Sequence, residues 1–296
     1  MKALIPRPTT QTTALVVVLC AAAGFGTIPL FSRLAYALDL TPETLLLARY
    51  GVPALLLLPL VPAPLFKISG AWTLVAAGAF MGVGAWAYFQ ALDLLPAPVA
   101  ALIFFTYPLF VLLWRYAIFR EHISRSDLVA GVMVLIAVAI ILNPTALADL
   151  DIVGVLIAFV GPAGYAALIV AIVRAPSEIT PLPVAALLFF GIILTSIPLS
   201  FFAAEPVAFP VSMAGWSVLA ALMIFVGLLP QISMAAAAPV AGSSLTAIAG
   251  SMELVVALVL SSIFLDDTLT IEHGIGAAIL VCAIVVTARG RRLNRY

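Results

Sequence analysis

The chain has 296 residues, 65% of them hydrophobic and 9% charged, and its 13 basic residues are balanced by 13 acidic ones. A soluble domain carries about 25% charged residues, so this composition cannot cover a water-exposed surface and marks an integral membrane protein. It holds no basic patch for nucleic acid, and Cys20 and Cys282, far apart in apolar runs, give neither metal-ligand spacing nor a disulfide framework.

A bilayer core is crossed by about 20 apolar residues in a helix, and the alternating polarity of barrel strands is absent. The sequence predicts ten helices, over roughly 13–36, 43–63, 71–92, 97–119, 126–143, 152–173, 182–203, 214–237, 240–264 and 271–288. The first follows Lys2 and Arg7 as the core of a signal peptide would, but its apolar run continues through LCAAAGFGTIPLFS, long enough to span. Leu19 precedes Cys20 where lipoprotein processing needs a small residue, so an uncleaved helix is expected. Gly24, Gly26 and Pro29 interrupt this helix. The second carries Arg49, a charge that either snorkels to the interface or pairs with an interior carbonyl or acid in a structural or gating role.

The third helix contains GVGAWAYFQ, with Trp86 and Gln90 four apart and Gly82 below them; Gly78 and Gly82 form a small-xxx-small pair for close helix contact. The fourth places Phe104, Tyr107 and Trp114 along one side. The sixth carries Tyr165 beside Pro162, Gly161 and Gly164. Its interruption falls where that of the first helix does in the other half, the pattern of helices that bend or line a cavity. The eighth supplies Gly227 and Gln231, and a tight corner at Pro239 and Gly242 leads to the ninth. Buried glutamines need partners, so Gln90 and Gln231 are each a substrate contact or glue between helices. The ninth holds Glu253 inside GSMELVVALVL.

Lysine and arginine set orientation. With ten spans both termini share a side, which then holds Lys2, Arg7, Lys67, Arg115, Arg120, Arg125, Arg174, Arg289, Arg291, Arg292 and Arg295, against Arg33 and Arg49 toward the other. Asp39, Glu43, Asp93, Asp149, Asp151, Glu205, Asp266, Asp267 and Glu272 fall on that other side. Both termini are therefore expected in the cytoplasm.

Residues 96–124 and 242–270 match at an offset of 146: a corner, one apolar span, an acid (Glu121 or Asp267), a hydroxyl three residues on, and a further span. The chain reads as two five-helix units, 1–147 and 148–296. Five is odd, so the second unit starts on the opposite side and the copies are inverted, as in many secondary transporters. The corner FREHISRSD is basic and its counterpart LDDTLTIEH acidic, as opposite compartments require.

This ordered set resembles the drug/metabolite transporter superfamily, EamA type. The resemblance is carried by YPLFVLLWRYAIFREHIS with AGVMVLIAVAII, repeated as MELVVALVLSSIFLDDTLT with GAAILVCAIVV, and by LLLARYGVPALLL. Asp267 stands where glutamate is commoner, and Leu254 follows Glu253 where proline is common. The resemblance implies a ten-helix transporter of a bacterial inner membrane, and the analogy within it is to amino-acid exporters of the YddG type.

Glu253 lies mid-way along its helix, where a carboxyl faces the bundle interior. Thr246, Gly250 and Ala257 leave space beside it. It either recognises a substrate amine or a coupling proton, or braces the bundle. Tyr107 is its repeat equivalent. The expected substrate contacts are Glu253, Tyr107, Trp86, Gln90, Tyr165 and Gln231, with Glu253 and Arg49 in coupling or gating. The leading expectation is a secondary transporter of a small metabolite, amino acids before organic cations, moving it by alternating access at the midplane. No Walker motif supplies ATP-driven transport. No cofactor or metal is implied, the partners are the substrate and lipid, and a monomer satisfies the sequence. A membrane-embedded enzyme would need a catalytic set such as HExxH or paired intramembrane aspartates, and neither is present. A channel would need a charged ring or filter loop, and a purely structural or sensory protein would show no flux.

Overall fold

A computed structural model describes residues 5–143, 150–201, 206–265 and 267–293, the side chains of 291–293 apart. Lys2, Asp149, Glu205, Asp266 and Arg295, the side chains of Arg291 and Arg292, and the 147/148 division between the halves lie outside the described residues. Among the described residues, ten helices are long and apolar enough to cross a membrane: α1 Gln11–Tyr36, α2 Pro42–Leu60, α3 Ser69–Leu94, α4 Ala97–Phe119, α5 Arg125–Leu142, α6 Ile152–Val173, α7 Pro181–Ser200, α8 Met213–Ala241, α9 Ser243–Phe264 and α10 Ile271–Gly290. The chain is an all-α integral membrane protein of two inverted five-helix repeats. Ser124, Asp151 and Ser212 cap the starts of α5, α6 and α8 by accepting from backbone N–H groups. One corner differs from expectation. α8 runs through Pro239 to Ala241, and the turn into α9 is Gly242 alone, at φ 80°. Proline gives up one ladder bond in a last turn, while the positive φ is what needs glycine.

Six helices are not continuous. α1 divides into Gln11–Phe25 and Ile28–Tyr36, α4 into Ala97–Phe104 and Tyr107–Phe119, α6 into Ile152–Ala158 and Val160–Val173, and α9 into Ser243–Gly250 and Met252–Phe264. α2 and α8 widen into π-turns at Leu47–Gly51 and Met223–Leu228. A proline follows five of these six places: Pro29, Pro53, Pro108, Pro162 and Pro230. Proline cannot donate to the carbonyl four residues earlier, which loosens the ladder there. Hydroxyls bond carbonyls next to the loosened ones, Thr27 donating to Gly24 at 2.6 Å and Thr106 to Ile103 at 2.6 Å. The first pieces of α4 and α9 correspond residue for residue at the offset of 146, and α9 breaks even though Leu254 replaces the proline.

Water-driven collapse does not hold helices together in lipid, so close packing of small residues matters more. Val184–Phe189 of α7 are all fully buried, and α3 crosses that helix at glycines. Gly78 faces the backbone of Leu188 and Gly191, and Gly191 faces the carbonyl of Val75 and the amide of Ala79.

The end of the bundle where α1 starts and α10 finishes, here the terminal end, is tied by charge. Arg115 of α4 donates from Nε to Glu121 at 2.7 Å and from Nη1 to Asp127 of α5 at 3.1 Å. It also bonds Ser244 of α9, which donates to the same Asp127 oxygen at 2.9 Å. Glu121 pairs in turn with Arg174, beyond the end of α6. Thus Glu121 and Asp127 sit among the bases of the terminal end, as does Glu178 in the loop between α6 and α7. Removing one partner from the buried Arg115–Asp127 pair costs about 3–5 kcal/mol.

A methyl group at position 191 would overlap backbone rather than a movable side chain. Gly191→Ala is expected to destabilise the fold by about 1–3 kcal/mol. Gly274→Ala, with nothing within 4 Å, is expected to be neutral. Thermal unfolding in detergent distinguishes the two.

Candidate functional site

The breaks converge on a cavity of about 480 Å³. That is ample for a small metabolite, since ligand pockets run from about 300 to 1,000 Å³. Both repeats build it: α1 through α4 from the first, α6 through α9 from the second, with none of its lining residues from α5 or α10. It begins beside the breaks of α1, α4 and α9 and runs to Tyr36 and Pro42, at the end opposite the termini. There Tyr36 is 47% exposed. Toward the terminal end the bundle is packed shut. All of Ser243–Gly250 in α9 is buried, as are Ala235–Ala238 of α8 and Val111 of α4.

Glu253 lines the cavity from the first turn of the second piece of α9. The half-helix amides there favour negative charge. No hydrogen bond or ion pair engages its carboxyl among the described residues. Gly26, at the break in α1, lies against the Glu253 carbonyl, where a Cβ would come within 2.6 Å of it. The break in one helix and the acid in the other are thus packed together.

Arg49 lines the same cavity from the π-turn of α2. It forms no ion pair with an acid among the described residues. Its guanidinium lies over the rings of Tyr50, at 4.8 Å, and Phe25, at 5.7 Å, and its buried Nε has no hydrogen-bond partner among the described residues. Such ring contacts are worth up to about 2 kcal/mol when desolvated. Gly227, in the π-turn of α8, presses on the Arg49 carbonyl, so the two widened turns meet. Gln231 is 5% exposed and lines the cavity, and its Nε2 has no hydrogen-bond partner among the described residues.

Tyr165 faces the cavity within an aromatic cluster. It stacks on Phe104 at 5.7 Å and meets Tyr107 edge-on at 4.8 Å, and Tyr88 abuts Phe104 at 5.7 Å.

The structure therefore brings together Glu253, Arg49, Gln231, Tyr165, Gly26 and Pro29. Others stand apart. Tyr107 is fully buried behind the cavity, and its hydroxyl donates to the Ala247 carbonyl at 2.9 Å beside Ser251 at 3.3 Å. It bonds the turn of α9 that breaks without a proline. Trp86 and Gln90 do not line the cavity. They continue the α3 stripe whose Gly78 and Gly82 pack on α7, while the cavity takes Met81, Gly84, Ala85, Tyr88, Phe89 and Leu92. Gly24 packs on Pro230 and the Phe225 carbonyl of α8, and Pro162 is buried just after the break of α6. Thr246 and Gly250 are buried on the shut side of Glu253. Sequence reasoning missed Ser32, Tyr36, Tyr50 and Tyr88, all in the cavity wall.

The sequence profile described as the EamA-like transporter family matches residues 12–143 and again 152–289, one match over each set of five helices. A solved crystal structure shares the fold at a TM-score of 0.75, with 19% identity over 93% of this chain and 97% of its own. No curated protein matches the sequence.

Because Tyr107 braces α9 from outside the cavity, Tyr107→Phe is expected to cost about 1 kcal/mol of stability and to leave ligand affinity unchanged. Parallel unfolding and binding titrations check this; a loss of affinity at full stability contradicts it.

Proposed function

The chain belongs to the EamA-like transporter family, and from that premise we propose that it is a secondary transporter that exports amino acids by alternating access. The observation that carries this reading is the cavity at the helix breaks, lined by an acid, Glu253, and a guanidinium, Arg49, neither of which has an ionic partner among the described residues. A zwitterion offers each of them a partner. Its carboxylate would meet Arg49 and its ammonium Glu253, while Gln231 supplies a free amide donor and Tyr165, with Phe104 and Tyr88, an apolar face. Buried polar groups left unpartnered are costly, so a ligand that satisfies them binds selectively. Glu253 would take part in recognition or in coupling to protons. The termini would lie in the cytoplasm of a bacterial inner membrane, and the cavity would face outward.

A second reading, a multidrug or organic-cation exporter of the same fold, is favoured by an acid, Glu253, sharing the cavity wall with aromatic rings. Arg49 in the same wall counts against it, because a second positive charge repels a cationic substrate.

The test is flux. In liposomes, saturable uptake or release of radiolabelled amino acids, with and without a pH gradient, is expected for the wild-type protein. Glu253→Gln is expected to abolish it at unchanged folding. Wild-type flux of organic cations alone would favour the second reading, and unchanged flux in the variant would make Glu253 a brace.

A further inference from the structure

We propose that Arg115, Asp127 and Ser244, together with the Glu121–Arg174 pair, form a latch between the two repeats that holds the terminal end shut and must part in each transport cycle. The inference rests on the alternating-access reading above.

Placement comes first. Arg115, Glu121 and Asp127 belong to the first repeat, while Ser244 and Arg174 belong to the second. Every link from Ser244 to Arg115 or Asp127, and from Arg174 to Glu121, therefore crosses between halves. Arg174 adds a further crossing, its guanidinium lying 4.4 Å from the ring of Phe119. If the halves rock against each other to open this end, these are the contacts that separate.

Burial comes second. The Asp127 side chain is 6% exposed and that of Arg115 16%. All the side-chain partners of Asp127 converge on Oδ2, since Oδ1 has none among the described residues. An apolar contact could seal the end as firmly. It would not release as readily, because opening would expose greasy surface to water. Charged groups lose their partners on opening but regain hydration, so a polar seal opens and recloses at small net cost. That property suits a contact made and broken repeatedly.

Asymmetry comes third. The inverted repeat places Ser261, Asp267, His273 and Pro98 at the opposite end, in the positions of Arg115, Glu121, Asp127 and Ser244. No guanidinium occurs among them, and the three ion pairs among the described residues are all at the terminal end. The cavity reaches the opposite end. One backbone plan thus carries a latch at one end and none at the other, which biases the resting protein toward the conformation described here.

Two cysteine reporters test this. The exposed Cys20 and Cys282 are first replaced by alanine. Val111→Cys, fully buried one turn from Arg115, reports opening of the terminal end, and Ala85→Cys in the cavity wall reports the other end. Each is labelled with a membrane-impermeant maleimide from its own side of oriented proteoliposomes. Ser244→Ala removes both links of that hydroxyl, to Arg115 and to Asp127, and spares both ion pairs of Glu121 with the arginines; Asp127→Asn keeps the shape and removes the charge. In both, labelling at position 111 is expected to rise about tenfold, as loss of a charge-assisted hydrogen bond of the closed state would give, while labelling at position 85 slows. Opposite changes are the signature of a latch. Unchanged rates overturn the proposal, whatever happens to the melting temperature, and so do rates that rise together, since a simple brace would loosen the whole bundle. Absent wild-type flux would defeat the transport reading instead.

Discussion

Backbone groups in lipid have no water to turn to, and the architecture depends on how this chain meets that constraint. An unbroken helix satisfies itself and can face lipid anywhere. A broken one exposes carbonyls and amides, which only protein or a polar cavity can answer. Six of the ten spans are broken or widened, and those of α1, α2, α4, α8 and α9 have residues at or beside the irregularity in the wall of one cavity. The continuous α5 and α10 take no part in it. The cavity and the helix breaks thus share one cause: prolines loosen the ladder, and the loosened turns are gathered where ligand-facing polarity is useful.

The repeat gives this arrangement its economy and also its asymmetry. α4 and α9 break at equivalent positions, yet the residue after each break does different work. Tyr107 turns away from the cavity and bonds the Ala247 carbonyl, while Glu253 turns into it. The tyrosine of one half therefore stabilises the break that presents the acid of the other. Pro108 makes the first break on its own; Leu254 cannot, and the α9 break is supported across the repeat interface instead.

Much of the fold was legible because length and punctuation carry it. Apolar runs of spanning length, Pro and Gly between them, and the charge reversal between FREHISRSD and LDDTLTIEH mark ten spans in two inverted sets. The interruptions of α1 and α6 followed from Gly26, Pro29 and Pro162. Helix phase was not legible. In a soluble helix the polar face marks the outside, but here both lipid and neighbouring helices select apolar residues, so α3 shows no preferred face by composition. Trp86 and Gln90 stand out by chemistry and lie off the cavity wall, whereas Tyr88 looks ordinary and lines it. Arg115 and Asp127 were hidden for a related reason. A base near a helix end reads as a topology signal, and only tertiary structure brings it to an acid on the next helix.

The placement of charge explains how such a greasy bundle can still have two ends that behave differently. Glu253 and Arg49 both border the cavity, and neither has an ionic partner among the described residues. At the terminal end, opposite charges are paired and partly buried. Unpaired charge stores an attraction for something that arrives, and paired charge stores resistance to separation. If a bound ligand satisfies Glu253 and Arg49 together, it draws α9 toward α2 across the cavity. That closure is the movement that would work against the ties at the other end, because the first turn of α9 carries Ser244, one of those ties. A single helix therefore reaches both the cavity and the seal, with its break between them.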